Sequence, residues 1–277
     1  MATAPLRSSP AEEVTARIEQ LRRQLGALEA LGGHTGECGA LLALGNPVID
    51  GALGGGLGSS ALHEIAAARE AEVAAASGFA LALAARMTSG RERAVLLPAS
   101  GRNVIWIAED LSLIENGALY GPALDGIGIA PERLITVAVA RMRDVLWAME
   151  EALRCRAVGM VVGEMRPGGI DQVATRRLAL AAAAGNAIGF ILYTAPDDAP
   201  SAAVTRWIIG TASSLNAERG DGIGPPRLLA RLARNRRGPL GTWIVEWNSV
   251  EQRFELATHS EPVAGAAFDR PHRTAVA

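Results

Sequence analysis

The chain has 277 residues, 49% of them hydrophobic, which is enough for one large or two small domains with a substantial core. Its 29 acidic and 27 basic residues leave a net charge of −2, which excludes a disordered chain and gives no overall attraction to nucleic acid or membranes. Every basic residue is an arginine, which excludes a Schiff-base lysine and the lysine of a phosphate-binding loop.

An amphipathic helix is predicted over residues 11–31, within an N-terminal segment (residues 1–44) that ends in a glycine-rich linker. Its apolar residues recur at alternating spacings of four and three, which aligns them along one seam of a helix. Such a helix packs on its own domain, or it docks on a partner or a second copy of the chain. The seam consists of Val14, Ile18, Leu21, Leu25 and Leu28.

Residues 45–257 are predicted to form one core domain, in which apolar segments first alternate with helical ones. Strands that are apolar throughout, with helices between them, are typical of a parallel sheet that is covered on both faces. The pattern predicts a doubly wound α/β domain. The predicted strands are 62–66, 104–108, 134–139, 157–162 and 187–193, and the predicted helices are 70–87, 114–124, 143–154 and 170–184.

The alternation ends near residue 200. A short helix is predicted over 204–209, and the strands that follow it have no helices between them. They indicate an antiparallel extension, whose last hairpin turns at Asn248–Ser249. The tail, residues 258–277, has no periodicity, and we expect it to be flexible. The strands of the extension are predicted at 227–234, 242–247 and 253–257.

The cysteines and the apolar stretches indicate a cytoplasmic protein. Cys38 and Cys155 are far apart and lack the spacing of a metal or redox motif, so a disulfide scaffold is not expected. Residues 1–10 lack the apolar core of a signal peptide. The longest apolar stretches, 73–85 and 178–193, are shorter than a membrane span, and we expect no membrane contact.

The segment between the first core strand and its helix lacks the residues that bind phosphate. A G-x-x-x-x-G-K-[ST] loop needs glycines for backbone contact with the phosphates, a lysine against their charge and a hydroxyl for Mg²⁺. The sequence has Ala67, Glu72, Val73 and Ala74 at the four positions concerned. Glu70 and Glu72 would repel a triphosphate. We therefore expect no nucleotide cofactor and no enzymatic activity.

Acidic residues follow two further strands. Glu164 stands near the position of a metal-holding aspartate in nucleotide hydrolases, after the strand 157–162. It is either a solvated or ion-paired carboxylate, or a group that orients a water or a partner's arginine. Glu109 and Asp110 are interpreted as helix-capping groups because no phosphate grip is present.

Other catalytic and metal-binding patterns are missing from the sequence. The four histidines are scattered and form no His-x-x-x-His or Cys-His pair, and there is no G-x-S-x-G motif around a serine. No catalytic residue, cofactor site or metal site is therefore predicted. The histidines are His34, His63, His259 and His272.

A cluster of arginines is the strongest positive feature. Alternation along the strand 227–234 buries Leu228 and its even-numbered neighbours and exposes Arg227 and Arg231. Guanidinium groups pair with carboxylates and phosphates. Three interpretations are open, namely a solvated edge strand, contact with a partner's acidic surface, and contact with a nucleic-acid backbone. The candidate partner-binding residues are Arg231, Arg234, Arg236 and Arg237, with Leu21, Leu25 and Leu28 of the N-terminal helix.

The order of these segments resembles RecA-type recombinase cores, and the motifs are similar to those of the ImuA family. The resemblance covers roughly residues 45–257, and its most specific block is Asp144–Leu153. The other segments that carry it are Val48–Leu57, His63–Ile65, Ala118–Leu124, Ile129–Leu134 and Arg234–Arg237.

The resemblance implies a RecA-like fold and an accessory role in SOS-induced mutagenic translesion DNA synthesis. The implied partners are an ImuB-type Y-family-like protein, RecA and an error-prone replicative-type polymerase. In recombinases the basic hairpin similar to Arg234–Arg236 faces the nucleotide of the neighbouring subunit, which favours contact of these arginines with a partner subunit.

Two departures from the recombinase pattern limit which properties of recombinases can be expected of this chain. The nucleotide loop is lost, and the DNA-binding loop is reduced to Thr194–Ser201, which contains Asp197 and Asp198. Their charge has the wrong sign for phosphate, so any contact with nucleic acid is expected to be weak or indirect. The alternatives are a degenerate ATPase, a modulator of recombination that binds single-stranded DNA, and a damage-induced cell-division inhibitor.

Overall fold

The computed structural model describes residues 40–89, 103–214 and 225–257. The predicted N-terminal helix, with Leu21, Leu25 and Leu28, and the predicted tail lie outside these ranges. In the described ranges, no helix has both the length and the apolar character needed to cross a bilayer.

Eleven strands and six α-helices form the described part of the chain. The strands are β1 Leu41–Leu42, β2 Leu57–Gly58, β3 Leu62–Ala67, β4 Asn103–Glu109, β5 Leu134–Val139, β6 Val158–Met165, β7 Ile188–Tyr193, β8 Thr205–Ala212, β9 Arg227–Asn235, β10 Gly241–Asn248 and β11 Arg253–Leu256. The helices are α1 Pro47–Ala52, α2 Val73–Thr88, α3 Asp110–Asn116, α4 Gly121–Ile127, α5 Met142–Arg154 and α6 Gln172–Gly185.

Nine strands form one sheet, in the order β11-β10-β9-β8-β3-β7-β6-β4-β5. Six neighbouring strands of this sheet run parallel, namely β8, β3, β7, β6, β4 and β5. The strands β9, β10 and β11 continue the sheet in antiparallel pairing. β1 and β2 form a separate antiparallel pair. This topology confirms the predicted fold class, a doubly wound and mostly parallel RecA-like sheet with an antiparallel C-terminal extension.

Apolar layers cover the two faces of the parallel strands. Ile65 packs in the cluster that includes α2, whereas its neighbour Ala66 packs in the cluster that includes α5 and α6, because successive strand residues point to opposite faces. Helix α6 approaches α5 closely, since a Cβ atom at Gly185 would lie 1.8 Å from the carbonyl oxygen of Leu153. Only glycine fits at this crossing.

The predicted short helix over 204–209 is wrong, because this segment belongs to β8. Residues 205–210 are all buried, and β8 lies between β3 and β9 in the sheet. Side chains such as Trp207 and Ile208 fit a pleated surface. A short apolar run that is buried on both faces has no periodicity to distinguish strand from helix.

The single helix predicted over 114–124 is also wrong, because two short helices, α3 and α4, occupy this region. Gly117 ends α3 with a φ angle of 81°, in the region that favours glycine. Pro122 then lies in the first turn of α4, where proline is tolerated because its missing N–H has no helical partner.

Candidate functional site

The chain turns directly from β3 into α2, through one 3₁₀ turn at Glu70–Glu72. The backbone N–H of Ala68 donates to the carbonyl oxygen of Ile209 at 2.7 Å, which continues the pairing with β8. In a nucleotide-binding protein of this topology, this crossing from strand to helix is where backbone N–H groups surround the phosphates.

The side chain of Glu72 is the anion at this crossing. Its carboxylate accepts hydrogen bonds from the Thr211 hydroxyl at 2.8 Å and the Thr211 backbone N–H at 3.0 Å. The guanidinium of Arg69 donates to both carboxylate oxygens, at 3.0 and 3.1 Å. The bonds from Arg69 and then those from Thr211 lower the pKa of Glu72 to about 2. A fixed negative charge of the protein itself therefore occupies this part of the fold.

Glu164, at the end of β6, is neither solvated nor ion-paired within the described ranges. Its Oε1 accepts a hydrogen bond from the indole N–H of Trp106 at 2.6 Å, and no described group bonds to its Oε2. Burial raises the pKa of this carboxyl group. Trp106 was not among the predicted site residues, because its indole reaches Glu164 from the neighbouring strand β4.

Glu109 occupies the N-cap position of α3, yet its side chain makes no capping hydrogen bond. Asp110 stands in the first turn of the same helix, where a negative charge is favourable. Among the described residues, no group of three or more His, Cys, Asp and Glu side chains is arranged to hold a metal ion.

The alternation predicted along β9 is confirmed at Ala230, Arg231 and Leu232, whereas Arg227, which was predicted to be exposed, has a side chain that is only 15% exposed. Ala230 and Leu232 are buried, and Arg231 is exposed on the opposite face of the strand. Arg227 pairs with Glu246 of β10 at 2.5 Å. In the part of the chain that the structure describes, the guanidinium group of Arg231 has no hydrogen-bond or ion-pair partner.

Arg234 and Arg236 make structural contacts within the chain. Both guanidinium groups donate to the carbonyl oxygen of Ser201, at 3.0 and 2.9 Å. Asn235 fixes the turn between them, because its side-chain amide donates to the carbonyl oxygen of Ala52 at 2.9 Å. These contacts hold the loop before β8 against the end of β9. The guanidinium of Arg237 lies beside Gly58 in an exposed position.

A buried ion pair lies under this loop. The carboxylate of Glu64, on β3, accepts a hydrogen bond from the guanidinium of Arg206 at 2.6 Å, and Arg206 also donates to the carbonyl oxygen of Ala199 at 2.9 Å. Glu64 is fully buried, and the Arg206 side chain is only 11% exposed. This pair was not predicted, because it depends on the register between β3 and β8, which places Glu64 opposite Arg206.

The sheet order and the helices on both faces define a RecA-like α/β protein in which a carboxylate occupies the position of the phosphate loop. No protein-family model matches the chain. Over 219 residues, the chain is 31% identical to Protein ImuA of Caulobacter vibrioides (strain NA1000 / CB15N), in an alignment that covers 74% of this chain and 83% of the relative. Protein ImuA of a second strain, ATCC 19089, matches equally well. The chain belongs to the ImuA family.

Proposed function

We propose that the protein is a non-catalytic adaptor in SOS-induced mutagenic translesion DNA synthesis, in which it binds an ImuB-type partner and contacts RecA or an error-prone polymerase. Membership of the ImuA family supports the process. The domain organisation that we propose has a partner-binding N-terminal segment (residues 1–44), a RecA-like core (45–257) and a flexible tail (258–277).

The carboxylate of Glu72 is the observation that carries the non-catalytic part of the proposal. Thr211 and Arg69 give their hydrogen bonds to this carboxylate, so they are not free for a phosphate group. A triphosphate at this place would meet a carboxylate with a lowered pKa, which stays ionised at neutral pH and is already the ion-pair partner of Arg69. We therefore assign the binding of other proteins, and not nucleotide chemistry, to the surface of this domain.

A titration with Mg²⁺-ATP tests this part of the proposal. We expect no heat of binding at millimolar ATP in isothermal titration calorimetry, because the chain lacks both the glycines and the lysine that hold the phosphates. The Glu72→Ala variant is also expected not to bind, since removal of the carboxylate does not create a phosphate loop. Micromolar affinity in the unaltered protein would contradict the proposal and support the degenerate ATPase.

The contacts of the arginine cluster sharpen the test of partner binding. Arg231, Arg236 and Arg237 are exposed, and Arg234 and Arg236 also hold the Ser201 loop, so Arg231 and Arg237 can be changed without loss of these loop contacts. We expect the double variant Arg231→Glu/Arg237→Glu to capture about tenfold less ImuB-type protein in a pull-down, because each change reverses a charge at the contact.

Arg156→Glu is the matched control for this pull-down, since Arg156 is an exposed arginine outside the cluster. RecA is tested in parallel as the second partner. Undiminished capture of both proteins by the double variant would show that the cluster is not the contact surface.

A further inference from the structure

A groove runs between α5 and α6 on one face of the sheet. It consists of two adjoining cavities, of about 450 and 320 Å³, which share Leu146, Ala174 and Arg177 in their walls. Leu178, which is buried, forms part of the floor. We call this feature the α5–α6 groove.

Close packing closes one end of the groove. A Cβ atom at Gly169 would lie 2.0 Å from the sulfur of Met142, so the loop after β6 is in tight contact with the start of α5. The backbone N–H of Gly168 in the same loop donates to the carboxylate of Asp197 at 2.8 Å. The groove is therefore formed before any partner arrives, which lowers the entropy lost on binding.

Large apolar side chains stand exposed along the groove. Trp147 of α5 is 66% exposed, and Val173 of α6 is 67% exposed. Both line its cavities. Tryptophan is among the residue types most enriched at the energetic centres of protein interfaces. An exposed tryptophan beside a preformed cavity thus indicates a place where an apolar side chain of another protein can be buried.

The charges around the groove indicate the chemistry of that protein. The side chains of Arg143 and Arg177 are 71% and 62% exposed, so both guanidinium groups reach solvent, and Arg143 lies 3.6 Å from the carboxylate of Asp144. The carboxylate of Glu150 is buried, and it is bonded to Arg154 and Arg177. Asp171 caps α6 by accepting the backbone N–H of Ala174 at 2.7 Å. The groove therefore presents an apolar floor beside which two guanidinium groups reach solvent, each with a carboxylate of α5 near it.

We propose that the α5–α6 groove is a docking site for a partner segment that carries carboxylates beside its apolar anchors. The apolar anchors enter the cavities next to Trp147, and the carboxylates pair with Arg143 and Arg177. A short amphipathic helix presents its residues in this way, with anchors at i, i+3 or i+4 and acidic residues flanking them. This inference rests on the proposed adaptor function, because it assigns a surface to one of its partners.

A selection from random peptides tests the proposal and does not require the partner to be identified. Phage that display random peptides of about 16 residues, long enough for four helical turns, are selected on the full-length protein and depleted on its Trp147→Asp variant. We expect the retained peptides to combine Leu, Ile, Phe or Trp with an excess of Asp and Glu. Selected sequences without this acidic excess, or no sequences that distinguish the variant, would overturn the proposal.

The affinity of one selected peptide for a set of variants then measures the apolar contacts and the ionic contacts separately. We expect Trp147→Ala and Arg143→Glu each to weaken binding at least tenfold in fluorescence anisotropy, whereas Val250→Asp and Arg156→Glu, at exposed positions outside the groove, leave it unchanged. Equal loss in the control variants would also overturn the proposal. Thermal unfolding of each variant identifies any loss that comes from misfolding, and Arg143→Glu keeps the test valid if Trp147→Ala does not fold.

The pull-down with the ImuB-type protein separates this inference from the proposed function. If the unaltered protein captures no partner, the adaptor function fails, whatever the peptides show. If the Trp147→Ala variant captures the partners as well as the unaltered protein does, the groove is not their docking site, although the adaptor function stands.

Discussion

The Arg206→Met variant is expected to lose about 3–5 kcal/mol of its free energy of unfolding. Arg206 is the hydrogen-bonded ion-pair partner of Glu64, a carboxylate that is fully buried in the sheet. Its other oxygen has no bonding partner among the described groups. Removal of the guanidinium therefore leaves a buried carboxylate without its ion-pair partner. Urea unfolding followed by circular dichroism at neutral pH measures the loss.

The double variant Glu64→Met/Arg206→Met is the matched control. It removes both charges together and fills the space with apolar side chains of similar length, a change that is often neutral for a buried pair. We therefore expect the double variant to be more stable than Arg206→Met alone. If the single variant loses less than about 1 kcal/mol, the pair is accessible to water in solution and is not buried.

The core elements are predicted well where local pattern and burial agree. The bounds of β5 are those expected from the sequence, and α5 begins one residue earlier than expected, at Met142. The seam of α5 places Val145, Met149 and Leu153 in the core, so its periodicity survives in the folded protein. β8 could not be predicted in this way, because it is buried on both faces and its parallel partner β3 is distant in sequence.

Some features of the candidate site depend on residues that are adjacent in the chain, and others depend on contacts between residues that are far apart in sequence. The absence of a phosphate-binding loop can be predicted from the sequence, because such a loop is formed by residues that are adjacent in the chain. The hydrogen bond between the Glu72 carboxylate and Thr211 could not be predicted from the sequence. The two residues are far apart in the chain and meet only through the pairing of β3 with β8. The same applies to Arg234 and Arg236, whose contacts with Ser201 depend on the register between β8 and β9.

The free energy of unfolding is expected to fall by roughly 3 kcal/mol between about pH 7 and pH 4 because of His63. The ring is fully buried, and burial lowers its pKa from 6.5 to about 4. Its Nε2–H donates to the carbonyl oxygen of Gly58 at 3.0 Å, since a carbonyl can only accept, and Nδ1 accepts from the Thr205 hydroxyl at 2.8 Å. The folded state thus holds the neutral ring.

The sign of this effect follows from proton uptake in the two states. Below pH 6.5 His63 is protonated in the unfolded chain, whereas in the folded chain it stays neutral until the pH nears 4. Acid therefore favours unfolding across this window. Glu72 adds to the loss only below about 4.5, the ordinary pKa of its carboxyl group. Glu164, whose pKa is raised by burial, acts in the opposite direction, because its folded state takes up a proton more readily than the unfolded chain. The decline above that pH therefore belongs to His63.

The His63→Gln variant isolates this contribution, because glutamine does not titrate in this window. Urea unfolding at half-unit steps from about pH 7 to about pH 4 should give a flatter profile for the variant than for the unaltered protein. Thr205→Val is the companion variant, since it removes the hydroxyl from Nδ1 and leaves the ring buried, so the decline should persist in it. Profiles of equal slope in His63→Gln and the unaltered protein would place the acid sensitivity elsewhere in the molecule.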